Sequence, residues 1–538
     1  MFFIFCPPHK KMNMRIHIFI LIFILLAGKS FGQINVTIDC SSPPMDMKHL
    51  TGFLGGKNDT AVHLWINPVA DTLLLKTNPK FWRTGKTDNL PFVESRSMKS
   101  MLIISDMYAI YKGVFPNIPM AQPWLDWADY EWYVDTLVRI TQLYNVTPEY
   151  FDVWNEPDHN WSGTYPQLIE LYQRTINVIK NIDSTLKVTG PSFSVFYNGA
   201  AILPIIDTLN YLGVHFDAVN WHEFFYPLNA KNNINRIKDS LNVRPYADSI
   251  KIQVTEYGFQ DNFLIPGFSV GFFSVFEDTD VEWVNRACWP VSDGITSWNT
   301  CNIGWNGLFW HDGMSPLPLY WTHRAYAEMS GNKLSTFSSN DTTFSVLACN
   351  DVINQEIRVL TGRHKSNLWS SPAAPESVML TVSNYPYLSN GTIPIIIQKI
   401  RGQNIYSPLS QPELISDGNA TVTSGTIIIT IPDYCDGDVY YIYLNPSLPI
   451  LSTKPVNQYS NDSYLIYPNP TNGELSIDLG LTQNEVSVIV RNELGQEIMT
   501  KSFNGTRLLQ LNIPGESGIY FIEVMAAYKR TTMRVIKE

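Results

Sequence analysis

Two hydrophobic patterns alternate along residues 50–334. Short apolar runs, rich in β-branched and aromatic residues, are typical of buried strands. Between them lie stretches with apolar residues at helical spacing, such as Glu131–Tyr144 and Pro166–Ile182. Eight such strand–helix units predict an α/β fold, a (β/α)8 TIM barrel. The predicted strands are Leu50–Leu54, Phe81–Thr84, Met101–Ser105, Phe151–Trp154, Lys187–Gly190, Ala218–Trp221, Ile252–Thr255 and Ile295–Trp298.

The pattern changes after residue 334, where β-rich runs are separated by Asn, Gly, Ser and Pro with no helical stretch between them. Such a pattern predicts a β-sandwich. A segment rich in Pro, Ser and Asn then predicts a linker, and a smaller all-β unit follows it. Near the N-terminus Asn35–Asp39 is also strand-like, so 33–49 is a candidate strand of the sandwich. The expected divisions are 33–334 for the barrel, 335–448 for the sandwich, 449–462 for the linker and 463–538 for the last unit.

The N-terminus has the features of a targeting segment. Basic residues precede the apolar run Ile16–Ala27, and Ser30 and Gly32 supply small residues before Gln33. A charged region, an apolar region and a cleavage site predict a signal peptide over residues 1–32. The apolar run is short for a membrane span.

Composition narrows the classes of function. The chain has 538 residues, which is too long for one core and indicates several domains. Its net charge of −11, from 38 Lys and Arg against 49 Asp and Glu, argues against a nucleic-acid-binding protein. Five of the six cysteines follow the predicted cleavage site, and their spacing does not match a metal site. Cys288 and Cys301 are the nearest pair for a disulfide, but the pairing is open.

Two motifs place a glutamate at the end of a predicted strand. They are Trp154-Asn155-Glu156-Pro157 after the fourth strand and Thr255-Glu256-Tyr257-Gly258 after the seventh. Chemistry in this barrel fold collects at the C-terminal ends of the strands, so the two carboxylates are expected to converge. Two facing carboxylates are the groups that glycoside hydrolysis requires.

The motifs suggest a role for each residue. Glu156 is the candidate acid/base and Glu256 the candidate nucleophile. Asn155 is placed to hydrogen-bond the sugar hydroxyl beside the anomeric carbon. Arg83, at the end of the second predicted strand, could hold Glu256 in its ionised form, although a salt bridge at the barrel mouth is the alternative.

These motifs resemble glycoside hydrolase clan A, and most nearly family 39, over roughly residues 50–450. The resemblance implies that His222 lines the sugar site and that Trp298, on the predicted eighth strand, forms its floor. It implies a retaining double displacement without a metal or an organic cofactor, acting on β-xylosides or other plant or algal glycans. An endo-acting hydrolase of the agarase or porphyranase type is the alternative within the clan, and exo or endo action is open.

One position departs from the pattern of the clan. Many members carry a tyrosine two residues after the sixth-strand histidine, where this chain has Phe224. Tyr226 and Tyr257 are candidates to supply the missing hydroxyl. The adjacent Glu223 could compete for a catalytic role, but a surface or subsite position is the prediction. Further substrate-binding candidates on the loops are Trp161, Trp305, Trp310, Asp158 and His159.

The last unit carries a second resemblance. It opens with Tyr467-Pro468-Asn469-Pro470, contains the late strand Gly518–Val524 and ends in a basic segment. These features closely resemble the C-terminal sorting domain of the bacterial type IX secretion system. The resemblance implies a Bacteroidetes-type bacterium, an outer-membrane secretion machinery as partner, and a secreted or cell-surface location. A carbohydrate-binding module is the alternative for this unit.

Taken together, the sequence predicts a secreted retaining glycoside hydrolase whose partner is a carbohydrate substrate. A surface glycan-binding protein built on an inactive barrel is the alternative from another class, and it would bind sugar without cleaving it. The oligomeric state is open.

Overall fold

The fold is described from a computed structural model. It covers residues 33–55, 68–113, 121–246, 250–258, 264–287, 307–310, 315–366, 371–446, 465–526 and 529–538. The chain forms two compact units, which divide between Ile450 and Leu451. The predicted signal peptide, the predicted linker, Trp298, Trp305, Cys288 and Cys301 lie outside the described residues.

The first unit contains a closed barrel of eight parallel strands, which confirms the predicted fold class. Two short strands precede it, β1 (Gln33–Asp39) and β2 (Met45–Asp46). The barrel strands are β3 (Gly52–Leu54), β4 (Phe81–Thr84), β5 (Lys99–Ile103), β6 (Tyr150–Asp152), β7 (Val188–Phe193), β8 (Ala218–Glu223), β9 (Lys251–Tyr257) and β10 (Val281–Arg286).

Amphipathic helices surround the barrel and bury their apolar faces against it. The helix that begins at Tyr165 shows how the sequence sets a helix start. The Thr164 hydroxyl accepts from Gln167 N at 3.4 Å, and Gln167 Oε1 accepts from Thr164 N at 2.7 Å. The helices are α1 (Pro68–Leu75), α2 (Leu90–Glu94), α3 (Ile104–Tyr111), α4 (Trp127–Leu143), α5 (Pro157–Asn160), α6 (Tyr165–Ile182), α7 (Ile202–Tyr211), α8 (Pro227–Asn242), α9 (Pro266–Asp278) and α10 (Pro318–Glu328).

The prediction that Ile295–Trp298 closes the barrel is wrong, and that segment lies outside the described residues. The strand that closes the barrel is β10, which pairs in parallel with β9 on one side and β3 on the other. Polar residues interrupt the apolar run of β10, so its sequence lacks the pattern that is typical of a buried strand. Their partners lie on other strands: Tyr150 OH on β6 donates to Glu282 at 2.7 Å, and Asn285 Nδ2 donates to Phe53 O on β3 at 2.8 Å.

A β-rich domain completes the first unit. Its strands, besides β1 and β2, are β11 (Asn332–Lys333), β12 (Ser335–Ser338), β13 (Phe344–Asp351), β14 (Glu356–Arg363), β15 (Glu376–Ser383), β16 (Gly391–Ile400), β17 (Glu413–Thr423), β18 (Thr426–Tyr434) and β19 (Val439–Leu444). The eleven strands form one sheet in the order β12-β1-β15-β18-β17-β16-β19-β14-β13-β11-β2, with β1 parallel to β15. Both halves of this order contribute to a single hydrophobic core, so the sheet folds over on itself.

Helix α9 joins the barrel to this sheet. A Cβ at Gly267 would collide with the carbonyl of Arg363 on β14, and a Cβ at Gly271 would lie 2.6 Å from Pro227 Cγ on α8. Glycine at both positions therefore lets the helix pack closely on both neighbours. The barrel and the sheet consequently form one packed body.

The second unit is a small all-β domain. Its strands are β20 (Leu465–Tyr467), β21 (Glu474–Gln483), β22 (Val486–Asn492), β23 (Glu497–Phe503), β24 (Thr506–Asn512), β25 (Gly518–Ala526) and β26 (Lys529–Lys537). They form a three-stranded sheet in the order β20-β21-β24 and a four-stranded sheet in the order β23-β22-β25-β26, which share one core.

In the described part of the chain, every helix is too short or too polar to cross a bilayer.

Candidate active site

The barrel brings five of the predicted site residues together at the C-terminal ends of its strands. Arg83 lies on β4, Asn155 and Glu156 follow β6, His222 lies on β8 and Glu256 on β9. Residues far apart in the chain meet here because parallel strands end at the same edge of the barrel.

The two glutamates face each other across His222. One oxygen of each carboxylate and a ring nitrogen of the histidine all lie within 4.8 Å of one another. His222 Nδ1 is 2.9 Å from Glu156 Oε1, and its Nε2 is 3.7 Å from Glu256 Oε1. The side chain of Glu156 is 21% exposed and that of Glu256 is 8% exposed, so Glu156 retains more contact with solvent.

Arg83 connects several residues of the site through hydrogen bonds. Its Nη1 donates to Glu256 at 2.6 Å, and its Nη2 donates to Asn155 Oδ1 and to Asp152, each at 2.7 Å. Ser192 Oγ also donates to Asp152, at 3.1 Å. Burial lowers the pKa of Arg83, but Asp152 and Glu256 outweigh that effect and raise it, so the guanidinium stays charged.

Sequence reasoning gave no role to Asp152 or Ser192. A signal existed for Asp152, because a carboxylate inside the otherwise apolar run Tyr150–Trp154 needs a buried partner. Nothing in the sequence pattern marks Ser192. Its partners come from other strands, since its backbone N donates to Asn220 Oδ1 at 2.7 Å.

Glu156 has an unusual backbone conformation. Its φ of 49° and ψ of 60° lie in the left-handed region, which non-glycine residues adopt mainly where the surrounding structure imposes it. Pro157 starts α5 directly after it, and Glu156 N donates to Ser192 O at 2.9 Å. This turn directs the carboxyl group into the cleft.

The environments of the two glutamates differ. Burial raises the pKa of Glu156, but the hydrogen bond and charge of His222, with Arg83 and His159, outweigh burial and lower it. Burial raises the pKa of Glu256, and the charge of Glu156 adds to the rise, while His222 and Arg83 oppose it. These opposite shifts favour the proton on Glu256, which is the reverse of the order that the predicted roles need during catalysis.

The structure places Tyr257 and Glu223 outside the cleft. The ring of Tyr257 packs on Phe272 and Phe276 of α9, at 5.0 and 4.8 Å between centroids. Glu223 is buried against α8, where it accepts from Trp221 Nε1 at 2.5 Å and Asn233 Nδ2 at 2.9 Å. Alternation along a strand explains both, since the neighbours Glu256 and His222 point inward. A substrate contact by Tyr257 and a surface or subsite position for Glu223 are thus corrected.

The remaining candidates for the missing hydroxyl and for sugar contacts have different surroundings. Phe224 packs on His222 with 5.4 Å between centroids, and Tyr226 packs on Phe268 at 5.8 Å. Trp161 is half-buried and forms an edge contact with Trp124 at 4.5 Å. Two loop residues differ from each other: Asp158 accepts from Ser194 N at 3.0 Å and ties two loops together, whereas His159 is exposed.

The spacing of Glu156, His222 and Glu256 would also suit a metal ion. The guanidinium of Arg83, 2.6 Å from Glu256 Oε1, already supplies the positive charge there and opposes a second cation. The arrangement is better suited to proton transfer and to attack by a carboxylate.

The comparisons with known proteins agree with this geometry. The model for glycosyl hydrolases family 39 matches residues 87–250, which include Glu156 and His222 and end before Glu256. The model for the secretion system C-terminal sorting domain matches residues 465–538. The chain is therefore family 39-like and carries a C-terminal sorting domain.

Individual relatives are more distant. A β-xylosidase from Caldicellulosiruptor saccharolyticus is 30% identical over 142 residues, which are 25% of this chain and 27% of that protein. Two solved structures share the fold, each covering 77% of this chain and 100% of their own. One is N2152 from Neocallimastix frontalis, with 17% identity and a TM-score of 0.62. The other is a monomeric β-xylosidase from Caulobacter crescentus CB15, with 13% identity and a TM-score of 0.55.

Proposed function

We propose that this chain is a retaining glycoside hydrolase that cleaves β-glycosidic bonds by double displacement. The main support is the approach of Glu156 and Glu256, whose oxygens lie within 4.8 Å of each other. Retaining enzymes hold their carboxyl groups about 5–5.5 Å apart, whereas inverting enzymes need about 6.5–9.5 Å to admit a water molecule.

In the first step, a Glu256 oxygen attacks the anomeric carbon and forms an ester bond to the sugar. The bond to the leaving oxygen breaks as Glu156 transfers its proton to that oxygen. In the second step, the Glu156 carboxylate takes a proton from water, and the resulting hydroxide oxygen displaces Glu256. Two inversions leave the anomeric configuration unchanged.

Substrate binding can supply the required proton order. A bound sugar removes water from the carboxyl groups, and desolvation raises a carboxyl pKa. Glu156 is 21% exposed against 8% for Glu256, so it has more solvation to lose. Arg83 meanwhile keeps its 2.6 Å contact with Glu256 and stabilises the carboxylate.

One tautomer of neutral His222 is compatible with a proton on Glu156 and an ionised Glu256. With its proton on Nε2, the neutral ring accepts at Nδ1 from protonated Glu156, 2.9 Å away. Its Nε2–H then points toward Glu256 Oε1 at 3.7 Å and can shorten that contact as the carboxylate ionises. His222 thus links the acid to the nucleophile.

For the substrate we propose a β-xyloside, and for the location secretion through the type IX system. The substrate rests on the similarity to proteins named β-xylosidase, and the location on the sorting-domain match over residues 465–538.

The test is a screen of the purified chain from Gln33 onward against aryl β-glycosides and plant and algal polysaccharides. We expect turnover of an aryl β-xyloside, with the β-anomer as the first product in NMR spectra. A 2-deoxy-2-fluoro xyloside should label Glu256, as peptide mass spectrometry would detect. Inversion of configuration, or sugar binding without turnover, would contradict the proposal.

A further inference from the structure

A further carboxylate, besides Asp152, lies at the edge of the cleft and has no part in the two steps above. Asp106 follows β5 in the first turn of α3 and is partly exposed. Strand ends at this face of a barrel carry the residues that contact substrate. An acidic residue in a first helical turn can also serve only to stabilise the helix, so the neighbours of Asp106 decide between the two roles.

Asp106 lies between two parts of the active site. On one side it packs over Gly85, two residues after Arg83, where an added Cβ would lie 2.6 Å from Asp106 Cβ. On the other side Ser105 Oγ donates to Asp106 Oδ1 at 3.3 Å and accepts from Asn155 N at 3.0 Å. Asp106 is therefore a neighbour of both Arg83 and Asn155.

Its hydrogen-bonding capacity is largely unused. An ionised carboxylate offers about four acceptor sites. In the described part of the chain the hydrogen bond to Asp106 is the long one from Ser105. Burial raises the pKa of Asp106 to about 6, with Arg83 and Ser105 opposing and Glu256 and Asp152 adding to the rise. At neutral pH the group is therefore mainly an ionised acceptor.

We propose that Asp106 binds a ring hydroxyl of the sugar whose glycosidic bond is cleaved, and so helps to select the substrate. The proposal rests on the proposed function. The sugar should be neutral, because the described charges around Asp106 are the carboxylates Asp152 and Glu256 against the single guanidinium of Arg83. A carboxylated or sulfated sugar would add repulsion there.

The test compares affinities instead of rates. Calorimetry would give the Kd of methyl β-D-xyloside and its 2-, 3- and 4-deoxy forms for the full chain carrying Glu256→Gln, so that no sugar is consumed. Asp106→Asn on this background should weaken binding of the parent sugar about 10- to 100-fold, the usual loss for a hydrogen bond to a charged group. For one deoxy sugar, the one that lacks the bound hydroxyl, the loss should disappear.

Two further variants sharpen the result. Gly85→Ala should reproduce the pattern of Asp106→Asn, because the new methyl group displaces the Asp106 side chain. Asp135→Asn is the matched control on α4, since Asp135 pairs with Arg139 on the outside of the barrel. Equal losses for all four sugars, or no xyloside binding before the change, would overturn the proposal. Turnover by the unmodified chain tests the proposed function separately.

Discussion

The two ends of the barrel differ in how their charges are matched. At the N-terminal end, a cavity of about 620 Å³ is lined by Lys99, Glu149, Lys187 and Glu282 among others. Its lining holds four cations, Lys80, Arg96, Lys99 and Lys187, against the two carboxylates. Each carboxylate has a donor: Glu149 contacts Lys187 at 2.6 Å and Lys99 at 3.6 Å, and Glu282 accepts from Tyr150 OH at 2.7 Å.

At the C-terminal end, Arg83 faces several carboxylates. It contacts Asp152 and Glu256 directly, while Glu156 and Asp106 lie nearby. The excess of negative charge favours a bound proton there, whereas cations outnumber carboxylates at the other end. An excess of carboxylates therefore marks the reactive end.

The largest expected effect is on the nucleophile. Glu256→Ala should lower kcat by at least about 10⁴-fold, because it removes the carboxylate on which the glycosyl ester forms. Glu149→Ala, at the opposite end, should change kcat less than about threefold. Rates with an aryl β-xyloside would measure both. A comparable loss in the two variants would remove the distinction between the ends.

Glu156→Ala should have the next largest effect. General acid catalysis contributes about 10²–10⁴-fold, so substrates with poor leaving groups should lose that much and activated aryl glycosides less. Azide should restore turnover and yield a β-glycosyl azide, since a small anion can replace the carboxylate in the second step. Failure of azide with every leaving group would contradict the acid/base role.

The ion pairs at the two ends of the barrel should also differ in how much they contribute to the free energy of unfolding. Asp152→Ala removes the carboxylate oxygen that accepts from both Nε and Nη2 of the buried Arg83, and it should cost about 3–5 kcal/mol of unfolding free energy. Lys187→Ala at the other end breaks a solvent-exposed pair and should cost less than about 1 kcal/mol. Urea unfolding would measure both, and equal losses would show that the two networks are equivalent.

The smallest effect concerns Glu223, which is at the reactive end but outside the cleft. Burial raises its pKa from 4.5 to about 7, and its contacts with Trp221 and Asn233 oppose the rise. The folded state then binds more protons than the unfolded state between these values, so stability falls as pH rises through that window.

Glu223→Gln removes this cost and keeps an acceptor oxygen. It should stabilise the chain at pH 8 by on the order of 3 kcal/mol and have little effect at pH 4. Thermal unfolding at the two pH values would test this, and kcat should stay unchanged. A stabilisation of the same size at both values would contradict the charge-based explanation.

The sequence predicted seven of the barrel strands because each combines an apolar run with a helix after it. It missed β10, where Glu282, Asn285 and Arg286 interrupt the run. The predictions for Tyr257 and Glu223 were wrong about which side of the strand each side chain is on. A difference of one residue along a strand reverses the direction of the side chain. No role was predicted for Asp152 or Asp106, because the role of each depends on its contacts with residues that are distant in the sequence.

The sequence by itself determined the order of the elements and the placement of Glu156 and Glu256 at strand ends, because both depend on local patterns. The tertiary structure decided which side chains meet. Arg83 reaches Asp152 across 69 positions and Glu256 across 173. Such contacts depend on closure of the barrel and on the direction of each side chain, which no local pattern specifies.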